Sequence, residues 1–158
     1  MSITVRPSTG RLEWERLIEV WRRSVVATHD FLTPADVADI ESRLSAVYFP
    51  AVTLTMAEDE TGRIVGFSGT SGNQLEMLFI DPTARGQGVG TSLLHEALSR
   101  IPDLELDVNE QNPQARGFYE SRGFRVVGRS EVDSDGRPFP LLHMRYEPDA
   151  TDSADTGD

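Results

Sequence analysis

Arg85-Gly86-Gln87-Gly88-Val89-Gly90 is the stretch of this chain whose residue types and spacing most plainly permit chemistry, at the centre of a segment running from Asp81 to Ser92. It lies between an apolar run closed by Ile80-Asp81-Pro82 and a helical pattern that begins near residue 88. The amides that open such a helix have no partners within it, and the positive end of the helix dipole stands behind them. That arrangement binds phosphate. Glycine helps because no side chain holds a phosphate off the backbone, and because a turn that needs positive φ can then form. Three other readings compete. A Walker P-loop requires a lysine that reaches the phosphates, and the segment has none. A dinucleotide fingerprint spaces its glycines G-x-G-x-x-G, whereas this chain has G-x-G-x-G, although Asp107 lies near the distance expected of a ribose-binding acid. The third is a glycine turn entering a helix with no ligand.

The elements around this turn follow from hydrophobic spacing. Residues 3–6 alternate as a short strand, and Trp14, Leu17, Ile18, Trp21 and Val25 recur at helical spacing, which predicts a helix over about 11–28 with both tryptophans in the core. Thr33 suits an N-cap, Pro34 the first helical position and Asp36 the positive helix end, so a second helix is expected over about 34–48, stopped by Pro50. Val52 to Met56 and Arg63 to Phe67 flank a Glu60-Thr61-Gly62 turn and read as a hairpin, and a third strand, Leu75 to Asp81, follows Gly72-Asn73. Beyond the glycine-rich turn come a helix over about 88–100, a strand over 104–108 and a helix over about 112–122 closed by Gly123. Residues 124–132 and 138–146 alternate on either side of Asp135-Gly136, a hairpin signal. The order β-α-α-β-β-β-α-β-α-β-β predicts an α/β (α+β) fold with a mixed, mostly antiparallel sheet and helices on both faces.

Composition limits what such a fold can do. With 158 residues and 38% hydrophobic content, one domain over residues 1–146 is expected. The chain has no cysteine, which excludes disulfides, thiolate metal sites and a thiol nucleophile. The three histidines are not spaced as metal ligands, so no metal is expected. No apolar run approaches the roughly 20 residues that span a bilayer, so no membrane partner and a cytoplasmic location are expected. The net charge is −11, and removing the five carboxylates of residues 147–158 leaves −6 for residues 1–146. That terminal segment, acidic and without large apolar residues, is expected to be disordered. An acidic body also argues against nucleic acid as a partner. All fifteen basic residues are arginine, so the chain cannot acylate a lysine of its own.

Two motifs together carry a family resemblance. Arg85-x-x-Gly88-x-Gly90 matches the Q/R-x-x-G-x-G/A signature of the GNAT acyltransferases, and Asn112-x-x-Ala115-x-x-Phe118-Tyr119-x-x-x-Gly123-Phe124 resembles the second cofactor-side block of the same family. The element order agrees, so the likeness spans roughly residues 3–146. Within the family, Trp21 to Leu32 resembles the Trp-Arg-x-Ser-Val-x-Ala-Thr-His-Asp-Phe-Leu opening of a subgroup of small bacterial members.

The resemblance implies an N-acetyltransferase that carries an acetyl group from acetyl-CoA to a primary amine of a small molecule, protein or peptide, by direct attack in a ternary complex. It places the diphosphate of coenzyme A on the amides of Arg85, Gly86, Gln87, Gly88, Val89 and Gly90, with Thr91 just beyond. The pantetheine arm would run along strand 75–80, with main-chain bonds from Phe79 and Ile80, a side-chain amide from Asn112, and the Leu78 amide polarising the thioester carbonyl where strands 75–81 and 104–108 splay apart. Tyr119 matches the family tyrosine that serves as general acid toward the leaving thiolate. The incoming amine must lose a proton, and Glu76 is the candidate base, on the expectation that burial in a central strand raises its pKa. His29 and Asp30 are the rival pair, at a junction that borders the acceptor site in the family.

His143, in a terminal hairpin that often reaches the acceptor pocket, is a further acceptor-binding candidate, while His95 reads as a packed or surface residue. Arginines 22, 23, 116 and 145 could attract a carboxylate-bearing acceptor, whereas the acidic surface would favour polyamines or a basic protein terminus. Two alternatives stand beside the enzyme: a non-catalytic acyl-CoA-binding sensor of the same fold, and a nucleotide-binding protein that uses the same turn. The chain would be a monomer or a homodimer.

Overall fold

The structure, a computed structural model, describes residues 2–28 and 32–148. The chain divides into two compact units, Met1–Arg100 and Ile101–Asp158. Elements of the first unit are β1 (Thr4–Pro7), α1 (Trp14–Thr28), α2 (Pro34–Arg43), β2 (Thr53–Glu58), β3 (Ile64–Ser71), β4 (Gln74–Ile80) and α3 (Val89–Arg100). The second holds β5 (Glu105–Asn109), α4 (Pro113–Glu120), β6 (Phe124–Ser130) and β7 (Leu141–Tyr146). The order matches the expectation. Strands run β1-β2-β3-β4 in the first unit and β5-β7-β6 in the second, and each of the pairings β1/β2, β2/β3, β3/β4, β5/β7 and β6/β7 is antiparallel. Among the described residues no helix is long and apolar enough to cross a membrane.

Helices cover both faces of the first unit's sheet. On one face Leu17, Val20, Trp21 and Val25 of α1 pack with Met56, Phe67 and Met77, joined by the edge-on pairs Trp14–Phe49 and Phe49–Phe67. On the other, Val89 and Leu93 of α3 pack on Ala57 and Val65, with Leu78 and Ile80 beside them. The close approach of α3 depends on Gly66, where a Cβ would come within 2.8 Å of Val89 Cγ1 and 3.1 Å of the Phe79 carbonyl oxygen.

Several elements differ in extent from the sequence pattern, each for a physical reason. The second helix keeps its expected start: the Thr33 hydroxyl accepts from Asp36 N–H at 3.1 Å and the Asp36 carboxylate accepts from Thr33 N–H at 3.0 Å, a reciprocal cap. It changes character before residue 48, because Leu44–Tyr48 widens into a π turn in which Phe49 N–H donates to the Leu44 carbonyl. That wider turn puts Leu44 and Phe49, five residues apart, into the same core. Strand β3 continues to Ser71, since Ser68 and Thr70 are buried despite their polarity. The last hairpin is shorter than expected. Pro138 and Pro140 have no N–H to offer a ladder, so β7 begins at Leu141. Past β7 the backbone remains tied, with Glu147 N–H donating to the Gly123 carbonyl at 2.9 Å.

Candidate active site

The turn between β4 and α3 has the geometry of an anion cradle. Asp81 opens a short 3-10 turn, Pro82–Ala84, after which the chain passes through Gly86 at φ +76° and Gly88 at φ +81° before α3 begins at Val89. Both angles are in the left-handed region, where a side chain would be strained, and nothing lies within 4 Å of the position a Cβ would take at either glycine. Backbone conformation, not crowding by the rest of the protein, therefore demands these glycines. Ser92 N–H donates to the carbonyl of Gly88, four residues back, at 2.9 Å. Val89 and Gly90 precede it, and Gly88 has no side chain with which to cap them. Arg85, Gly86, Gln87 and Gly88 are exposed, while Val89 is anchored in the core and Thr91 sits in the first turn of α3.

Strand β4 leads into this turn, and its ladder to β3 decides which main-chain groups face elsewhere. Asp81 N–H donates to the Val65 carbonyl at 2.8 Å, and the register continues Gly66 with Ile80, Phe67 with Phe79 and Ser68 with Leu78. Antiparallel pairs alternate between those that exchange main-chain hydrogen bonds and those that do not. Phe79 therefore bonds to β3, and the amides of Leu78 and Ile80 turn away from it. This corrects the expectation for Phe79: its main chain belongs to the ladder and its ring packs beside Phe67, 5.8 Å between centroids. Leu78 and Ile80 keep the orientation that an arm along the strand would need.

Glu76 shares a face of β4 with Leu78 and Ile80, as expected, but it is exposed. The desolvation argument for a raised carboxylate pKa therefore does not hold in this structure. Alternation identified the face correctly. It gave no information about how far along that face the apolar cover of α3 extends.

Directly before the turn, Asp81 is fully buried and carries a network that no sequence pattern disclosed. Thr83 donates to its Oδ1 from the main chain at 3.0 Å and from the hydroxyl at 2.8 Å. Arg23 reaches Oδ2 and Oδ1 at 3.2 and 3.3 Å, and Arg16 reaches Oδ2 at 3.3 Å while also holding the Ile64 carbonyl at 2.7 Å. Burial by itself pushes the Asp81 carboxyl up, but the two Thr83 bonds and Arg23 outweigh it and hold it down at about 2. The only signal in the sequence was the Ile80-Asp81-Pro82 boundary, because the arginine partners lie 58 and 65 residues away.

In the second unit, Tyr119 lies on α4 with its ring edge-on to Phe118 and Phe124, at 5.2 and 5.7 Å between centroids. It is 8% exposed, and burial drives its phenol well above the ordinary tyrosine value, so the hydroxyl keeps its proton throughout the neutral range. Asn112 is the N-cap of α4: its Oδ1 accepts from Ala115 N–H at 3.2 Å. Its NH2 group can donate to a ligand, and Oδ1, which has a second lone pair, can still accept. His143 stands between Asp107 and Ser130 on neighbouring strands, so Asp107, weighed above as a ribose ligand, instead faces an imidazole. His95 is exposed on α3.

The four arginines that could have drawn a carboxylate acceptor already face protein carboxylates. Arg22 pairs with Glu41 at 2.6 Å, Arg23 with Asp81, Arg116 with Glu120 at 3.4 Å and Arg145 with Glu105 at 3.3 Å. The rival base pair, His29 and Asp30, lies outside the described residues.

Comparison with known proteins bears on these features. Residues 37–148 match the family described as Acetyltransferase (GNAT) domain. Peptidyl-lysine N-acetyltransferase YjaB of Salmonella typhimurium is 48% identical over 146 residues, covering 92% of this chain and 99% of the relative. The solution structure of apo-form YjaB from Escherichia coli superimposes with a TM-score of 0.85 at 46% identity, over 92% of this chain and 98% of that one. A phosphinothricin acetyltransferase from Sinorhizobium meliloti, solved in complex with AcCoA, shares the fold at 24% identity with a TM-score of 0.64, over 92% and 88% of the two chains.

Proposed function

The chain belongs to the GNAT acetyltransferase family and is an N-acetyltransferase, and from that premise we propose that it moves the acetyl group of acetyl-CoA to the lysine side-chain amine of a protein or peptide. Enzymes of this family use acetyl-CoA. The observation that carries the coenzyme assignment is the start of α3 directly behind Gly86 and Gly88, which turns main-chain amides and the positive end of the helix dipole toward a diphosphate and leaves space beside both glycines. Polar groups of Leu78 and Ile80 that turn away from β3 are suited to the amide-rich pantetheine arm.

Transfer forms a nitrogen–carbon bond as the carbon–sulfur bond breaks. In this reading the Leu78 amide polarises the thioester carbonyl. Tyr119, whose buried phenol retains its proton, supplies that proton to the departing thiolate. The attacking amine gives up its own proton to Glu76 or to the pair His29 and Asp30. An amine acceptor that is cationic before it reacts suits a body of net charge −6, and the relatives named as peptidyl-lysine acetyltransferases support a peptide over a free amino acid.

A thiol-release screen tests this. Acetyl-CoA is offered with lysine-containing peptides, free amino acids, polyamines and aminoglycosides, and products are read by mass. Thiol release with an acetylated lysine peptide is expected. Turnover with small amines and none with peptides would overturn the acceptor while leaving the reaction class intact.

A further inference from the structure

The polar face of the sheet in the second unit carries a linked set of side chains that the proton transfers above do not use, although it includes His143, the acceptor-binding candidate. His143 Nδ1 lies 2.5 Å from Asp107 Oδ1, and its Nε2 lies 2.6 Å from Ser130 Oγ. A carboxylate can only accept, so in the neutral ring Nδ1 carries the hydrogen and Nε2 has the lone pair that accepts from the serine hydroxyl. Asp107 is the direct cross-strand partner of His143 between β5 and β7, so the two share a face.

Two backbone features bring Ser130 to that face. The register between β6 and β7 slips by one residue between Val126, opposite the buried Met144, and Gly128, opposite His143. Without the bulge, residues 126, 128 and 130 would all point to the Met144 side; with it, Gly128 and Ser130 point to the His143 side. Gly128 itself leaves room for the ring, since a Cβ there would lie 3.3 Å from His143 Cδ2. The His143 and Asp107 side chains are 37% and 41% exposed and Ser130 is half-buried, so the cluster opens to solvent.

We propose that Ser130, His143 and Asp107 form a nucleophilic triad that takes an acyl group from a small activated ester or thioester. Ser130 Oγ attacks the carbonyl carbon, the Oγ–C bond forms and the bond from that carbon to the leaving sulfur or oxygen breaks. The hydroxyl proton passes to His143 Nε2 and from there to the leaving group, while Asp107 holds the ring and offsets its transient charge. Water deprotonated by the same Nε2 then attacks the serine ester, releasing the carboxylic acid and restoring the hydroxyl. The chain has no lysine, so stable amide labelling of itself is confined to the N-terminal amine, and an ester on Ser130 is chemically distinct from it.

The site lies within one unit and needs no coenzyme pocket, which separates its test from that of the acetyl-CoA assignment. Full-length protein is incubated with p-nitrophenyl acetate and, separately, with acetyl-CoA, quenched in acid and mapped by peptide mass. One acetyl group on the Ser130 peptide is expected, resistant to neutral hydroxylamine and removed by alkaline hydroxylamine, as an oxygen ester is. Ser130→Ala should abolish it while leaving acetyl transfer to amines unchanged. His143→Gln should slow labelling on the order of 100-fold or more. Asp107 is a positioning residue: Asp107→Asn should slow labelling, and Asp107→Glu should recover part of the rate. If wild-type protein, folded by circular dichroism, gains no acetyl group at Ser130 from either donor, or if His143→Gln labels as fast as wild type, the triad is refuted.

Discussion

Tyr119 and Glu76 were assigned complementary proton roles, and the structure treats them differently. The Tyr119 phenol is buried and held protonated, so removing its hydroxyl should affect the transition state more than binding. In Tyr119→Phe, kcat is expected to fall about 100-fold with KM for acetyl-CoA changed little, as read by steady-state thiol release. Glu76→Gln should lower kcat about tenfold or more if Glu76 takes the amine proton; full activity would move that role to His29 and Asp30. The place of Tyr119 on α4 was legible because it stands in a motif of fixed spacing. The burial of Glu76 was misjudged because a period of two identifies a face of a strand, not the point where the helix covering it ends. Asp81 and its arginines were illegible, since a contact across 58 residues leaves no local pattern. The same holds for Ser130, whose place beside His143 depends on a bulge that no sequence periodicity announces.

Elements were read more reliably than contacts, because caps and turns are written in short segments. Thr33, Pro34 and Asp36 marked the start of α2, and Gly123 the close of α4 at φ +96°. Where the pattern failed, small polar residues or prolines were the cause: Ser68 and Thr70 hid the length of β3, and Pro138 and Pro140 shortened the final hairpin. Substitution of Thr33 by Ala is expected to cost about 1 kcal/mol in chemical denaturation, with activity retained. The seating of α3 is a stricter matter. Gly66→Val would push on Val89 and on the Phe79 carbonyl, lifting the helix whose first turn is the proposed phosphate site, so affinity for acetyl-CoA should fall along with stability.

Charge acts on the whole molecule. Burial pushes the Asp81 and Glu13 carboxyls up, but it is outweighed at Asp81 by Thr83 and Arg23 and at Glu13 by Arg6 and Thr9, and each is held down at about 2. A carboxyl whose folded value is depressed binds fewer protons folded than unfolded. Its stabilisation is therefore present above the unfolded value and lost as pH falls through the folded one. The urea midpoint should stay level above about pH 5 and drop between about pH 4.5 and 2, and Asp81→Asn should flatten part of that drop while lowering stability at neutral pH. The measurement that bears most directly on the coenzyme assignment is calorimetric titration of the protein with acetyl-CoA, beside Gly88→Ala, in which a residue at φ +81° gains a side chain. One site per chain with a Kd in roughly the 1–100 μM range is expected, weakened about tenfold or more by the substitution. No binding to the wild type, or binding that Gly88→Ala leaves untouched, would contradict a diphosphate held by the Arg85–Gly90 turn.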